Sequence, residues 1–194
     1  MSSKWPAIHW PTPPIDDGVV SLSEFRHEDI EVMVGVSSDP AIRQWTSWPH
    51  HYTEVEAAAG IERRERDRLS GQAISFALRQ KPGGQLCGGV DLRAIDRAVG
   101  VYEVAYWVAP ECRGRSLASH GLQLVCDWAG RELSASCFEA LIQPDNASSI
   151  RVVEQLGFQR GALLEAHRVR SGQPLDFFQY RLWMPLAEAS ASRG

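Results

Sequence analysis

Apolar positions recur along this chain with two periods, and the switches between them mark out its elements. Residues 19–25, VVSLSEF, are β-branched at their start and predict a first strand, whereas residues 27–38, HEDIEVMVGVSS, set Ile30, Met33 and Val34 at helical spacing. Residues 42–53, IRQWTSWPHHYT, are aromatic and broken by Pro49, which predicts a loop or short helical turns near a site. Thr53 followed three positions on by Glu56 has the form of a capping box. Residues 54–69 then alternate charge, with Glu62 and Arg66 one turn apart, as an exposed helix does. The basic run in that helix reads as its solvated face.

QAISFALR (72–79), QLCGGVDLRAI (85–95) and VGVYEVAYWV (99–108) follow one another with Pro82-Gly83-Gly84 and Asp96-Arg97 between them, predicting an antiparallel three-stranded meander. Leu117, Gly121, Leu124, Val125 and Trp128 then repeat every three to four residues, a helix running to about Leu133. CFEALIQ (137–143) is a strand, and SSIRVVEQLGF (148–158) is a helix closed by Gly157. ALLEAHRVR (162–170) and PLDFFQYRLWM (174–184) are two further strands. The order predicts an α/β fold: one domain over residues 15–186, with a mixed, mostly antiparallel seven-stranded sheet flanked by about four helices. Residues 1–14, rich in proline and tryptophan, predict an irregular arm laid on the surface or on a partner subunit, so a homodimer is compatible with the sequence. Residues 187–194, small and polar, are expected to form a flexible tail.

Charge narrows the function. With 24 acidic against 20 basic residues, nothing in the overall balance favours nucleic acid or an anionic membrane as partner, so any anion site must be local. No apolar run approaches the roughly 18 residues that span a bilayer, and the start of the chain lacks a signal peptide's basic and apolar regions, so a cytoplasmic protein is expected. Cys87, Cys112, Cys126 and Cys137 show no metal-ligand spacing, and no second acidic cluster argues for a metal. The four are expected as reduced thiols, with Cys112 filling a turn.

The most informative segment is VAPECRGRSLASHG (108–121), where a strand meets a helix. The first N–H groups of a helix lack intrahelical partners and carry a partial positive charge, so a loop that exposes them is an anion site. Gly114 permits a turn with positive φ, the small Ser116 and Ala118 let an oxyanion approach the backbone, and Arg113 and Arg115 add forked donors. The segment reads as a pyrophosphate cradle, although neither GxxxxGK[ST] nor GxGxxG is present.

RGRSLA (113–118) resembles the (Q/R)-x-x-G-x-(G/A) motif of the GNAT superfamily of N-acetyltransferases, with Ser116 where the family usually has glycine. A serine there costs little with φ negative. EVAYWVAPECRGRSLA (103–118) resembles the E-x-G-Y-W-V-x-P-x-x-R-G-x-G-x-A segment of the ribosomal-protein N-terminal acetyltransferase branch, with Ala105 replacing a glycine. PDNASSIRVVEQLGF (144–158) matches the same branch at Asn146, Ser149, Gly157 and Phe158, and DFFQYRL (176–182) resembles its last strand.

The resemblance implies acetyl-CoA as acetyl donor and no metal. Its pyrophosphate is expected on the backbone of Arg113, Gly114, Arg115, Ser116, Leu117 and Ala118, with Asn146 nearby and the pantetheine along Trp107 and Val108 like an added strand. Backbone N–H groups at Trp107 and Val108 are the expected donors to the thioester carbonyl. Ser149 is the candidate donor to the leaving thiolate, with an N-cap role for Ser149, Ser148 or Asn146 as the alternative. Glu103 is the first choice of base, against a structural carboxylate paired with an arginine. Where some members of the branch carry a later glutamate, this chain has Arg168.

Transfer of acetyl to an amine acceptor is therefore expected, by direct attack in a ternary complex. An α-amino acceptor, with a pKa of about 8, needs less help in losing its proton than a lysine at about 10.4, which favours a protein or peptide N-terminus over a small-molecule amine. Trp45, His50 and Tyr52 are the candidate acceptor-binding lip. The alternatives are a CoA-binding module with little turnover and a protein-interaction domain without a CoA site.

Overall fold

A computed structural model describes residues 5–49 and 51–185. Its strands are β1 (Ile15–Asp16), β2 (Val20–Ser23), β3 (Ala73–Gln80), β4 (Gln85–Asp96), β5 (Val101–Val108), β6 (Cys137–Ile142), β7 (Gln159–Arg170) and β8 (Gln173–Trp183). They form one sheet in the order β1-β2-β3-β4-β5-β6-β8-β7, antiparallel everywhere except between β5 and β6. The helices are α1 (Ile30–Val36), α2 (Pro40–Trp45), α3 (Glu54–Leu69), α4 (Leu117–Glu132) and α5 (Ala147–Gln155). The parallel pair needs a crossover, and α4 supplies it.

The described residues thus hold eight strands and five α-helices where seven and about four were expected. The added strand is two residues paired to Ser21 and Leu22, too short to show alternation. The added helix lies in the stretch expected to be a loop or short turns. It starts because Asp39 accepts a hydrogen bond from Ile42 N at 2.9 Å and Pro40 is preset for the first turn. The capping box of α3 forms as read, with Thr53 N donating to Glu56 Oε2 at 2.7 Å and Glu56 N to Thr53 Oγ1 at 3.3 Å.

Helix α4 buries Leu117, Leu122, Val125, Cys126, Trp128 and Ala129 against the sheet, each large apolar side chain contributing roughly 1.5–3 kcal/mol. Trp128 meets Phe76 edge-on, with ring centroids 5.3 Å apart. The irregular N-terminal arm docks on its own domain: Ile8 is buried, its N–H reaches Arg68 O at 3.0 Å, and Arg68 lies over the Trp10 ring. Beneath the sheet's other end, Arg79 donates to both carboxylate oxygens of Asp29 at 2.8 and 2.9 Å, a pair almost fully withdrawn from water.

Two cysteines depart from the expectation of reduced thiols: Cys87 and Cys112 form a disulfide, while Cys126 and Cys137 are free and buried. Ala109 N donates to Cys87 O at 2.8 Å and Cys112 N to Ala109 O at 2.9 Å. These bonds fold the turn after β5 back on β4 until the two Cα atoms stand 5.6 Å apart, inside the disulfide range. A separation of 25 residues in sequence carries no hint of that return.

Candidate active site

The site begins where two strands part. β5 and β6 pair only at Val101–Cys137, Tyr102–Phe138 and Glu103–Glu139, after which β6 stays with β8 and β5 stays with β4. Beyond Glu103 the sheet therefore opens. A cavity of about 370 Å³ fills the gap, with Tyr106, Trp107, Asn146 and Ser149 among its lining, and a larger one of about 960 Å³ continues over the sheet face.

Gly88 fixes how closely β4 and β5 approach at that point, because a Cβ there would stand 2.2 Å from the Trp107 carbonyl oxygen. The antiparallel ladder alternates outward and inward pairs. With Ala109 N bonded to Cys87 O at 2.8 Å and Gly88 opposite Val108, the N–H of Val108 turns away from β4 and into the gap. The N–H of Trp107, opposite Gly89, belongs to the ladder.

The gap ends at the loop before α4. Gly114 has φ +75° with open space around it, so glycine is required there by backbone conformation. Ser116, the N-cap of α4, has φ +56° and makes no side-chain cap hydrogen bond, contrary to the expectation of a negative φ. The first turn of α4 is thus left without a side-chain acceptor, at a strain of roughly 1–2 kcal/mol in a non-glycine residue. Ser116→Gly should accordingly raise stability by about 1 kcal/mol, about 2–4 °C in melting temperature for a chain of this size. No gain, or a loss, in a thermal melt would contradict the strain assignment.

The two arginines differ. Arg113 is turned to Asp39, with Nη2 to Oδ1 at 2.7 Å and Nη1 to Oδ2 at 3.3 Å, and this guanidinium holds the Asp39 carboxyl below the usual carboxylate range. Arg115 donates to Gln80 Oε1 at 2.8 Å and to Glu111 O at 3.1 Å, neutral partners that leave its charge uncompensated at the loop. Leu117 is buried, so only its backbone faces the loop.

Across the gap, Asn146 is the N-cap of α5: its Oδ1 accepts from Ser149 N at 3.2 Å and from Ser148 Oγ at 2.9 Å. That settles the capping alternatives in favour of Asn146 and leaves the Ser149 hydroxyl without a partner among the described residues, on the wall of the cavity. Tyr106 donates to Ser149 O at 3.1 Å. Burial pushes its hydroxyl up to about 12, so it stays a proton donor that pins α5 to β5.

Glu103 reaches both cavities, where its Oε1 accepts from Arg168 Nη2 at 2.7 Å. Arg168, on β7, stands where the family's later glutamate was sought. Trp45 lines the smaller cavity and Tyr52 the larger, and Trp48 bridges the wall, 4.9 Å from Trp107 and 5.3 Å from Tyr52 between ring centroids. His50 lies outside the described residues. Tyr106 and Asp91 were not singled out in the sequence, and Trp48 was noted there only as a neighbour of the His50-His51 lip. The sequence reading took Arg63 and Arg64 for a solvated face, although both line the larger cavity. Among the described residues no group of metal-ligating side chains is present, and no helix is long and apolar enough to cross a membrane.

A family model described as an acetyltransferase (GNAT) domain matches residues 20–159, most of the chain. The chain belongs to the GNAT acetyltransferases. The acetyltransferase is 26% identical, over 84% of its length and 92% of the relative's, to an uncharacterized N-acetyltransferase p20 of Bacillus licheniformis. Its fold matches that of Mycobacterium smegmatis RimJ in complex with CoA-disulfide at a TM-score of 0.78, with 19% identity, covering 86% of this chain and 82% of that one. It also matches the Microcin C7 self immunity acetyltransferase MccE in complex with acetyl-CoA and AMP, at a TM-score of 0.79 with 17% identity, covering 87% and 94%. These likenesses show the same fold.

Proposed function

We propose that this enzyme transfers the acetyl group of acetyl-CoA to a primary amine, with a peptide or protein N-terminus as the favoured acceptor, by direct attack in a ternary complex. The observation that carries the reading is the splay of β5 from β6, which opens directly onto the uncapped first turn of α4. A strand-like pantetheine fits the unpaired edge of β5, and a pyrophosphate fits the N–H groups from Gly114 to Ala118, the Arg113 N–H being bonded to Pro110 O at 3.3 Å, with Arg115 supplying charge. The relatives whose structures contain CoA or acetyl-CoA support the same cofactor.

Three needs of the reaction fall to named groups. The N–H of Val108 polarises the thioester carbonyl as it becomes an oxyanion. The Ser149 hydroxyl, held by the Asn146 cap and the Tyr106 bond to its carbonyl, donates to the departing thiolate. The amine enters through the larger cavity between Trp48, Tyr52 and the sheet, a cleft roomy enough for a chain end.

Glu103, committed to Arg168, serves chiefly to hold β5 and β7 across that cleft. Glu103→Gln should therefore lower kcat/KM less than tenfold, and a loss of a hundredfold or more would instead make it the base. The acceptor class is tested by comparing kcat/KM for Ser-Ala-Ala-Ala amide, an Nα-acetylated lysine amide and spermidine. The N-terminal peptide should lead, and a lead for either of the others reassigns the acceptor.

A further inference from the structure

β4 runs through the middle of the sheet and alternates its side chains between two faces. Val90 and Leu92 are fully buried, and Val90 faces α4. Asp91 between them faces the opposite way, into the cleft, and lines both cavities. Its neighbours in register are Ser75 on β3 and Ala105 on β5, a hydroxyl and a methyl. The small Ala105 leaves the space above Asp91 open toward Trp107.

Asp91 is half-buried, yet among the described residues it makes no hydrogen bond and no ion pair. The other acidic groups of the cleft do not share that position. Glu103 is held by Arg168 at 2.7 Å and Glu56 accepts from Thr53 in the capping box, while Asp67, also half-buried and without a side-chain partner among the described residues, lines only the larger cavity and not the smaller one beside Trp107. No lysine lines either cavity. Of the arginines there, Arg168 goes to Glu103, Arg43 donates to Ser37 O at 2.9 Å, Arg170 donates to the carbonyls of Arg43 and Thr46, and Arg64 lies over the Phe25 ring. Exposed Arg63 and Arg93 also line the larger cavity, and neither forms an ion pair with Asp91. A carboxylate withdrawn part-way from water with no protein partner gains most from an incoming cation.

We propose that Asp91 is the acceptor-binding residue of this enzyme, its carboxylate holding the ammonium of the substrate on the cleft floor beside Trp107. The inference rests on the acetyl-transfer reading of the cleft and adds its substrate requirement: acceptors bind as cationic primary amines, and the charge is recognised by β4 and not by Glu103. Before attack the ammonium gives up one proton to solvent, which frees its lone pair; once acetylated, the nitrogen has no charge, so the product loses its main contact and leaves.

The test is calorimetric binding of Ser-Ala-Ala-Ala amide, lysine amide and spermidine to the CoA-saturated protein. Asp91→Asn should weaken the best of these ligands at least tenfold, as loss of a charge-assisted hydrogen bond does. The melting temperature and CoA affinity should stay unchanged, and Asp91→Glu should recover part of the loss. The Nα-acetylated peptide should bind weakly and equally to both proteins. Amine affinities within threefold of wild type in Asp91→Asn overturn the assignment while leaving the acetyl-transfer reading intact. The same holds if CoA binds and none of the amines binds wild type. Failure of the wild-type protein to bind CoA at all overturns both.

Discussion

Gly114→Pro should abolish the response to acetyl-CoA while leaving the fold in place. Proline fixes φ near −65°, and the chain at this point needs +75°, so the loop cannot close over an anion. No atom lies within 4 Å of a Cβ built there, and the loop stands outside the core, so the damage stays local. At 100 times its dissociation constant, acetyl-CoA adds about 2.7 kcal/mol to the wild-type folded state, roughly 5–10 °C in melting temperature for a domain of this size. The variant should show a shift of about 1 °C or less at the same concentration. An undiminished shift would place the cofactor elsewhere.

The largest loss of stability should come from Arg79→Met. Arg79 and Asp29 are 8% and 3% exposed, and the guanidinium also donates to Ser23 Oγ at 2.8 Å and Glu24 O at 3.3 Å. The pair thereby ties β3 to the end of β2 and to the turn that starts α1. Removing one partner strands a buried carboxylate, at a cost of about 3–5 kcal/mol against a total stability on the order of 5–15 kcal/mol. A melting temperature lower by on the order of 10 °C is expected. The double variant Asp29→Leu with Arg79→Met should recover much of it, since neither charge is then left alone. A single variant that melts within about 2 °C of wild type would show that water reaches Asp29.

Most of the fold was legible because its elements are long enough to show a pattern: β3 and β4 as runs of buried residues bounded by turns, β5 with alternating burial, and α4 with a full apolar face. Local chemistry was legible too. The Thr53–Glu56 box formed as read, and Gly114 took the positive φ its place in the loop demanded. What escaped was either very short or non-local. Two residues of β1 and the six of α2 carry too little pattern. Ser116 adopts a conformation that its own chemistry does not favour, imposed by the loop. The Glu103–Arg168 pair joins residues 65 apart, and the Cys87–Cys112 disulfide depends on a returning turn. Asp91 did leave a trace: it is a charge flanked by buried Val90 and Leu92 on a central strand, whose meaning depends on which neighbours the register sets beside it.

Direct acetyl transfer is tested by following two products in one quenched time course with acetyl-CoA and Ser-Ala-Ala-Ala amide. Free CoA thiol and Nα-acetyl peptide should appear in equal amounts, at a rate that rises with peptide concentration, with no acetyl group on the protein at any time. Release of thiol ahead of acetyl peptide with acetyl on the protein would contradict direct attack. Binding of acetyl-CoA with no acetylated product from the peptide, lysine amide or spermidine would contradict the claim of catalysis and leave a CoA-binding module in its place.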